Sequence, residues 1–293
     1  MRTQASDLML TAIAPVIWGS TYLVTTEFLA GYTPLTVAML RALPAGLLLM
    51  LFVRQLPSGI WWGRVFILGA LNFSIFLSML FISAYRLPGG VAATVGAVQP
   101  LLVVFIAALA LSAPVRAMAV VAALIGTGGV ALLVLGPEAA LDPIGIAAGL
   151  AGAVSMACGM VLSRKWQPPV PVLTFTAWQL TAGGLLLVPV VLLFEPTIPT
   201  PDATNLAAFA WLGLVGMALT YLVWLRGIAR LQPSVVSSLV LLSPVTAVIL
   251  GWLVLDEALT PLQILGGIAV VASIWLAQRA GRTAAPATKA AKA

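Results

Sequence analysis

Trp18, Thr21 and Tyr22 stand three and four residues apart in APVIWGSTYLV (14–24), an otherwise apolar stretch that also holds Ser20. Such spacings bring side chains to one face of a helix. An aromatic face edged with hydroxyls suits a small zwitterion with an apolar side chain. The competing role is packing, with Ser20 and Thr21 bonding their own backbone. Asn72, Ser74 and Ser78 lie in LNFSIFLSML (71–80), and Ser155, Tyr221, Trp224 and Ser243 lie in later apolar runs. Asn72 offers donors and acceptors either to a ligand or to a neighbouring helix. Gln99 precedes Pro100 as Ser243 precedes Pro244; a proline inside a helix bends it and frees a carbonyl, so the pair reads as gate, ligand or architectural kink. Arg41 and Gln179 are further polar residues in apolar runs, suited to anion binding or to a structural hydrogen bond.

Other chemistries lack their residues. The chain has no histidine and one cysteine, Cys158, so histidine-based catalysis and multi-cysteine metal sites are excluded. No metal, cofactor or enzymatic activity is expected. Of 293 residues, 62% are hydrophobic and only 8% charged, with a mean hydropathy of +1.14. That composition belongs in lipid. The net charge of +6 does not indicate nucleic acid, because the basic residues are spread along loops.

A bilayer core needs about 20 apolar residues per helix. Turn-forming stretches divide the chain into ten predicted spans, at 7–26, 34–53, 64–84, 90–111, 116–136, 143–163, 172–194, 204–226, 233–254 and 261–279. With the N-terminus inside, the cytoplasmic side receives Arg2, Arg54, Arg64, Arg116, Arg164, Lys165, Arg226, Arg230, Arg279, Arg282, Lys289 and Lys292. The outer side receives Arg86 and every acid except Asp7. This is the distribution that membrane insertion imposes on short loops. The expectation is an all-α integral membrane protein with both termini cytoplasmic and a disordered basic tail over 280–293.

The chain also resembles itself. LRALPAGLLL (40–49) aligns with WQLTAGGLLL (178–187), matching Arg41 to Gln179 and Gly46 to Gly184. RLPGGVAATVGAVQP (86–100) aligns with RLQPSVVSSLVLLSP (230–244). Two repeats of five helices follow, at 1–136 and 143–279 with an extracytoplasmic linker over 137–142. Because five is odd the repeats are inverted, an arrangement that places a site near the membrane midplane for alternating access.

Trp18-Gly19-Ser20, then Pro34 and Arg41, and SPVTAVILGWLVLDEALTPLQILGG (243–267) resemble the drug/metabolite transporter superfamily, in its ten-helix members with two EamA domains. The sequence character is most similar to the YddG-type exporters, and the resemblance implies efflux of aromatic and other neutral amino acids. LALSAPVRAM (109–118) holds no counterpart to Glu257, so that position is not doubled. With no Asp or Glu in the body of any span, transport is expected to be facilitative. The partners expected are an amino-acid-like substrate and the lipid bilayer, and two repeats in one chain make a monomer sufficient. Broad-specificity drug or metabolite efflux is the alternative, though hydrophobic cations typically call for a membrane carboxylate.

Overall fold

The computed structural model describes residues 2–87, 95–134, 142–254 and 260–282. The predicted turns at 88–90 and over 136–141, the acids Asp256 and Glu257 and the tail beyond Arg282 lie outside the described residues. Among the described residues the chain is all helical and has no strand. The helices are α1 (Arg2–Phe28), α2 (Pro34–Val53), α3 (Trp61–Gly69), α4 (Ile75–Arg86), α5 (Gln99–Leu111), α6 (Ala117–Val134) and α7 (Pro143–Lys165). They continue as α8 (Val172–Phe194), α9 (Ala203–Ala210), α10 (Thr220–Arg230), α11 (Pro233–Leu239), α12 (Leu242–Val254) and α13 (Pro261–Arg282). Eight of the resulting rods are long and apolar enough to cross a membrane, and the apolar helices over Gln99–Leu111 and Ala117–Leu133 are shorter.

Two rods are joined by wider turns. A π-helical segment, Ala70–Ser74, links α3 to α4, and another, Trp211–Leu219, links α9 to α10. A π turn misaligns the backbone ladder and frees carbonyls for outside donors. The Leu71 carbonyl accepts from Ser155 Oγ at 2.8 Å, and the Gly216 carbonyl accepts from Trp18 Nε1 at 3.0 Å.

The most extensive helix pairings each take one member from residues 2–134 and one from residues 142–282: α2 with α8, α6 with α13, α4 with α7, and α1 with α12. Glycine makes the first two close. A Cβ on Gly46 would stand 2.7 Å from the Leu180 carbonyl carbon, and one on Gly184 would stand 2.6 Å from Leu43 Cα. Likewise a Cβ on Gly129 would meet Val270 N at 3.0 Å, and one on Gly266 would meet Leu133 N at 2.7 Å. Small residues let backbones approach where lipid gives helices no hydrophobic reason to associate.

Glu195, just past the end of α8, fastens the other end of the α2 pair. Its carboxylate accepts from Leu35 N at 2.8 Å and from Thr36 N, Thr36 Oγ1 and Thr33 Oγ1 at 2.6 Å each. The first N–H groups of a helix have no partner within it, and a carboxylate there also meets the positive end of the helix dipole. The two ends of the bundle differ in charge. One joins Asp7 to Arg226 and Arg164 to the carbonyls of Ile228 and Ala229; the other holds Glu195, Asp202 and the Arg86–Asp142 pair.

Gly46→Ala must push a Cβ into backbone and is expected to lower stability by about 1–3 kcal/mol. Gly63→Ala, in α3 with nothing within 4 Å of the new atom, is expected to be neutral or stabilising. Thermal unfolding of the two variants in detergent measures the contrast; equal melting temperatures would contradict the close packing.

Candidate functional site

A cluster of aromatic rings forms where α1 meets α10 and the first π segment. The Trp18 ring lies 5.2 Å from Tyr221 and 5.1 Å from Trp224, and Phe73 lies 4.5 Å from Tyr221. Trp18 Nε1 donates to the Gly216 carbonyl and to Thr220 Oγ1, both at 3.0 Å. The helix geometry explains the cluster: Thr220, Tyr221 and Trp224 project from one side of the first turns of α10, and the π segment before it carries Gly216 toward the indole. Tyr221 and Trp224 are buried at 4% and 0% exposure, while Trp18 is half-buried.

Arg41, four per cent exposed, lies within electrostatic reach of Tyr221. Its Nη2 is 3.9 Å from where a Cβ on Gly216 would stand. The buried cation therefore borders the aromatic cluster.

A second group of predicted residues forms hydrogen bonds between helices. Asn72 Nδ2 donates to Gln179 Oε1 at 2.8 Å and to Ser163 Oγ at 3.2 Å. Ser74 Oγ donates to the Gly183 carbonyl at 2.8 Å, and Ser155 Oγ donates to the Leu71 carbonyl. These bonds tie the first π segment to α7 and α8. Ser20 Oγ donates to the Ile17 carbonyl at 2.7 Å and accepts from Trp211 Nε1 at 3.0 Å. Thr21 and Ser78 are half-buried, and the side chain of Tyr22 lies outside the described residues.

The two proline pairs stand at breaks. α5 begins at Gln99 after a turn at 97–98, and α12 begins at Leu242 after a turn at 240–241. Pro100 and Pro244 thus occupy first turns, where a missing N–H costs nothing. Gln99 is buried, and its Nε2 has no hydrogen-bond partner among the described residues. Ser243 is half-buried, and its carbonyl would stand 2.6 Å from a Cβ on Gly19.

Two apolar grooves open on the outer faces. One, about 660 Å³, runs between α12 and α13 past Ile249, Ile268 and Trp275; the other, about 470 Å³, lies between α2 and α9 past Tyr32, Pro44 and Phe209. None of the predicted site residues lines either groove.

Phe73 and Trp211 carry no mark in the sequence that singles them out, and Asp7 stands out there only as the acid on the basic side. Asp7 bonds Arg226 at 2.6 Å and Arg230 at 3.4 Å across the α1–α10 seam. The four-residue spacing of Arg226 and Arg230 was the available signal, since it sets both guanidinium groups on one helix face.

Asn72→Ala and Gln179→Ala are each expected to destabilise the protein, with a coupling of about 0.6–1.7 kcal/mol in a double-mutant cycle. Unfolding in mixed micelles reads it out, and zero coupling would contradict the bond.

The EamA-like transporter family model matches residues 6–135 and again residues 143–278. Protein PecM of Dickeya dadantii is 44% identical over 267 residues, covering 90% of each chain. The uncharacterized inner membrane transporter YedA of Escherichia coli K12 is 28% identical over 265 residues, covering 88% of this chain and 86% of its own. A protein of known crystal structure superposes with a TM-score of 0.79, covering 96% of this chain and 99% of its own at 22% identity, which speaks to the fold alone. Aromatic and polar residues buried in an all-helical, lipid-suited bundle, together with these matches, identify the chain as a member of the EamA-like transporter family, a multi-pass membrane protein.

Proposed function

We propose that this protein carries small neutral metabolites, aromatic and other neutral amino acids foremost, out of a bacterial cell across its inner membrane by alternating access. The observation that carries this reading is the cluster of Trp18, Phe73, Tyr221 and Trp224, built half from α1 and the first π segment and half from α10. Rings present a large apolar surface, and hydrogen bonds from the Trp18 indole to Gly216 and Thr220 hold that ring in place. A site shared between helices from the two halves of a chain is exposed to one side or the other when those helices part.

Two inverted five-helix repeats account for the reciprocal contacts. Under the alignment that matches Gly46 to Gly184, residue 43 corresponds to residue 181, so Gly46 against residues 180–181 and Gly184 against Leu43 are one contact seen twice. The contacts of Gly129 with Val270 and of Gly266 with Leu133 exchange in the same way. Each third rod carries a π segment, and each proline pair begins a helix after a break. The double match of the family model supports the same division. In this reading the basic end of the bundle, with Arg164, Arg226 and Arg230, faces the cytoplasm together with both termini. The Asp7–Arg226 pair then seals that side, and one chain suffices for function.

Coupling to protons normally uses a membrane carboxylate or histidine. The described carboxylates stand at helix ends and the chain has no histidine, which supports transport down the substrate gradient. Counterflow of labelled phenylalanine and tryptophan into liposomes bearing the purified protein tests the assignment. Saturable exchange without a pH change is expected, reduced by about tenfold in Trp18→Ala. Exchange of other metabolites but of no neutral amino acid would overturn the substrate class.

A further inference from the structure

The buried interior has spare hydrogen-bond donors. Among the described residues, the buried side-chain atoms without a partner include the indole N–H of Trp224 and the amide nitrogens of Gln99 and Gln179, and no acceptor-only atom is among them. Trp224 is the decisive case, because an indole N–H can only donate. It is fully buried, with its ring 5.1 Å from that of Trp18. An unmet donor in such a place costs about 1–3 kcal/mol, so it marks where an acceptor belongs.

On its Tyr221 and Gly216 side the cluster is bordered by a positive charge. Arg41 borders Tyr221 and Gly216, and the Gly216 carbonyl holds the Trp18 indole. The described carboxylates are elsewhere: Asp7 lies within the first two turns of α1, Glu27 at its last turn, and Asp142, Glu195 and Asp202 at helix caps. An ammonium group brought to the cluster would meet a like charge at low dielectric and no described carboxylate. A carboxylate brought to the cluster would find a guanidinium on its Tyr221 side and an unused N–H on Trp224, and either group favours the charged form.

We infer that the cluster selects a carboxylate on an aromatic or apolar body and makes no use of an amino group. The substrate class is then the aromatic monocarboxylates, of which aromatic amino acids are one kind. This inference rests on the reading of the cluster as the substrate site.

Three probes of nearly equal shape separate the charges: 3-phenylpropionate, phenylalanine and phenethylamine. Their binding to the purified full chain in detergent is measured by calorimetry and by the shift in unfolding temperature. Phenylpropionate is expected to bind at least as tightly as phenylalanine, and phenethylamine at least about tenfold more weakly. Trp224→Phe keeps the ring and removes only the N–H; it is expected to weaken phenylpropionate about tenfold, as for a lost bond to a charged group, while the unliganded protein still unfolds cooperatively. Arg41→Gln is expected to abolish the preference for the acid over the amine, and Arg41→Lys to retain part of it. Phenethylamine binding as tightly as phenylpropionate would overturn the inference, as would unchanged acid binding in a folded Trp224→Phe. Phenylalanine counterflow without phenylpropionate binding would overturn it too, while leaving the proposed function standing. Binding of none of the three probes would sink both.

Discussion

A polar group inside a bilayer has no water to turn to, and much of this structure answers that constraint. Asn72 bonds Gln179 and Ser163, Ser74 and Ser155 bond carbonyls on opposing segments, and Trp18 bonds a carbonyl loosened by a π segment. Each of these bonds joins residues from different rods. The hydrophobic effect tells such a chain to enter the membrane, but it gives little reason for one apolar helix to choose another. Close glycine contacts and the few polar bonds therefore specify which helices pair, and they pair each half of the chain with the other.

That intertwining bears on mechanism. Helices α2 and α8 are joined by glycine contacts at mid-length and by Glu195 at one end, and α6 and α13 are joined by glycine contacts of their own. These pairs are suited to remain fixed. The α1–α10 seam has a glycine contact of its own, Gly227 against Thr11, but it is bridged mainly by rings, by the bond from the Trp18 indole to Thr220 and by ion pairs at the end that carries Asp7. These ion pairs are the charged contacts across the seam, and under the proposed alternating access they are the ones that break when the Asp7 end opens.

Much of the architecture was legible in the sequence because it follows from local features. The ends of α2, α7 and α8 fall within a residue or two of the predicted spans because Pro34, Pro143 and the QPPVP and EPTIPTPD turns mark them, while the third and eighth rods run three to four residues past theirs. The charge difference between the two ends of the bundle is visible in the order of residues alone. The pairing of Trp18 with Trp224, 206 positions later, is not, because nothing in one span names the partner that will face it. The two π segments also left no mark; they depend on donors from other helices, Ser155 and Trp18, that reach freed carbonyls. Asn72 and Gln179 were recognisable as polar residues in lipid, whereas their bond to each other depends on how α8 crosses the first π segment.

The central claim is that α1 and α10 part during each transport cycle. With Cys158 replaced by alanine, Asp7→Cys and Arg226→Cys put two thiols where an ion pair now spans the seam, and a short thiol-specific cross-linker can join them. The account predicts that cross-linking abolishes phenylalanine counterflow in liposomes and that reduction restores it, with either single cysteine variant unaffected by the reagent. Full exchange by protein shown to be completely cross-linked would contradict it.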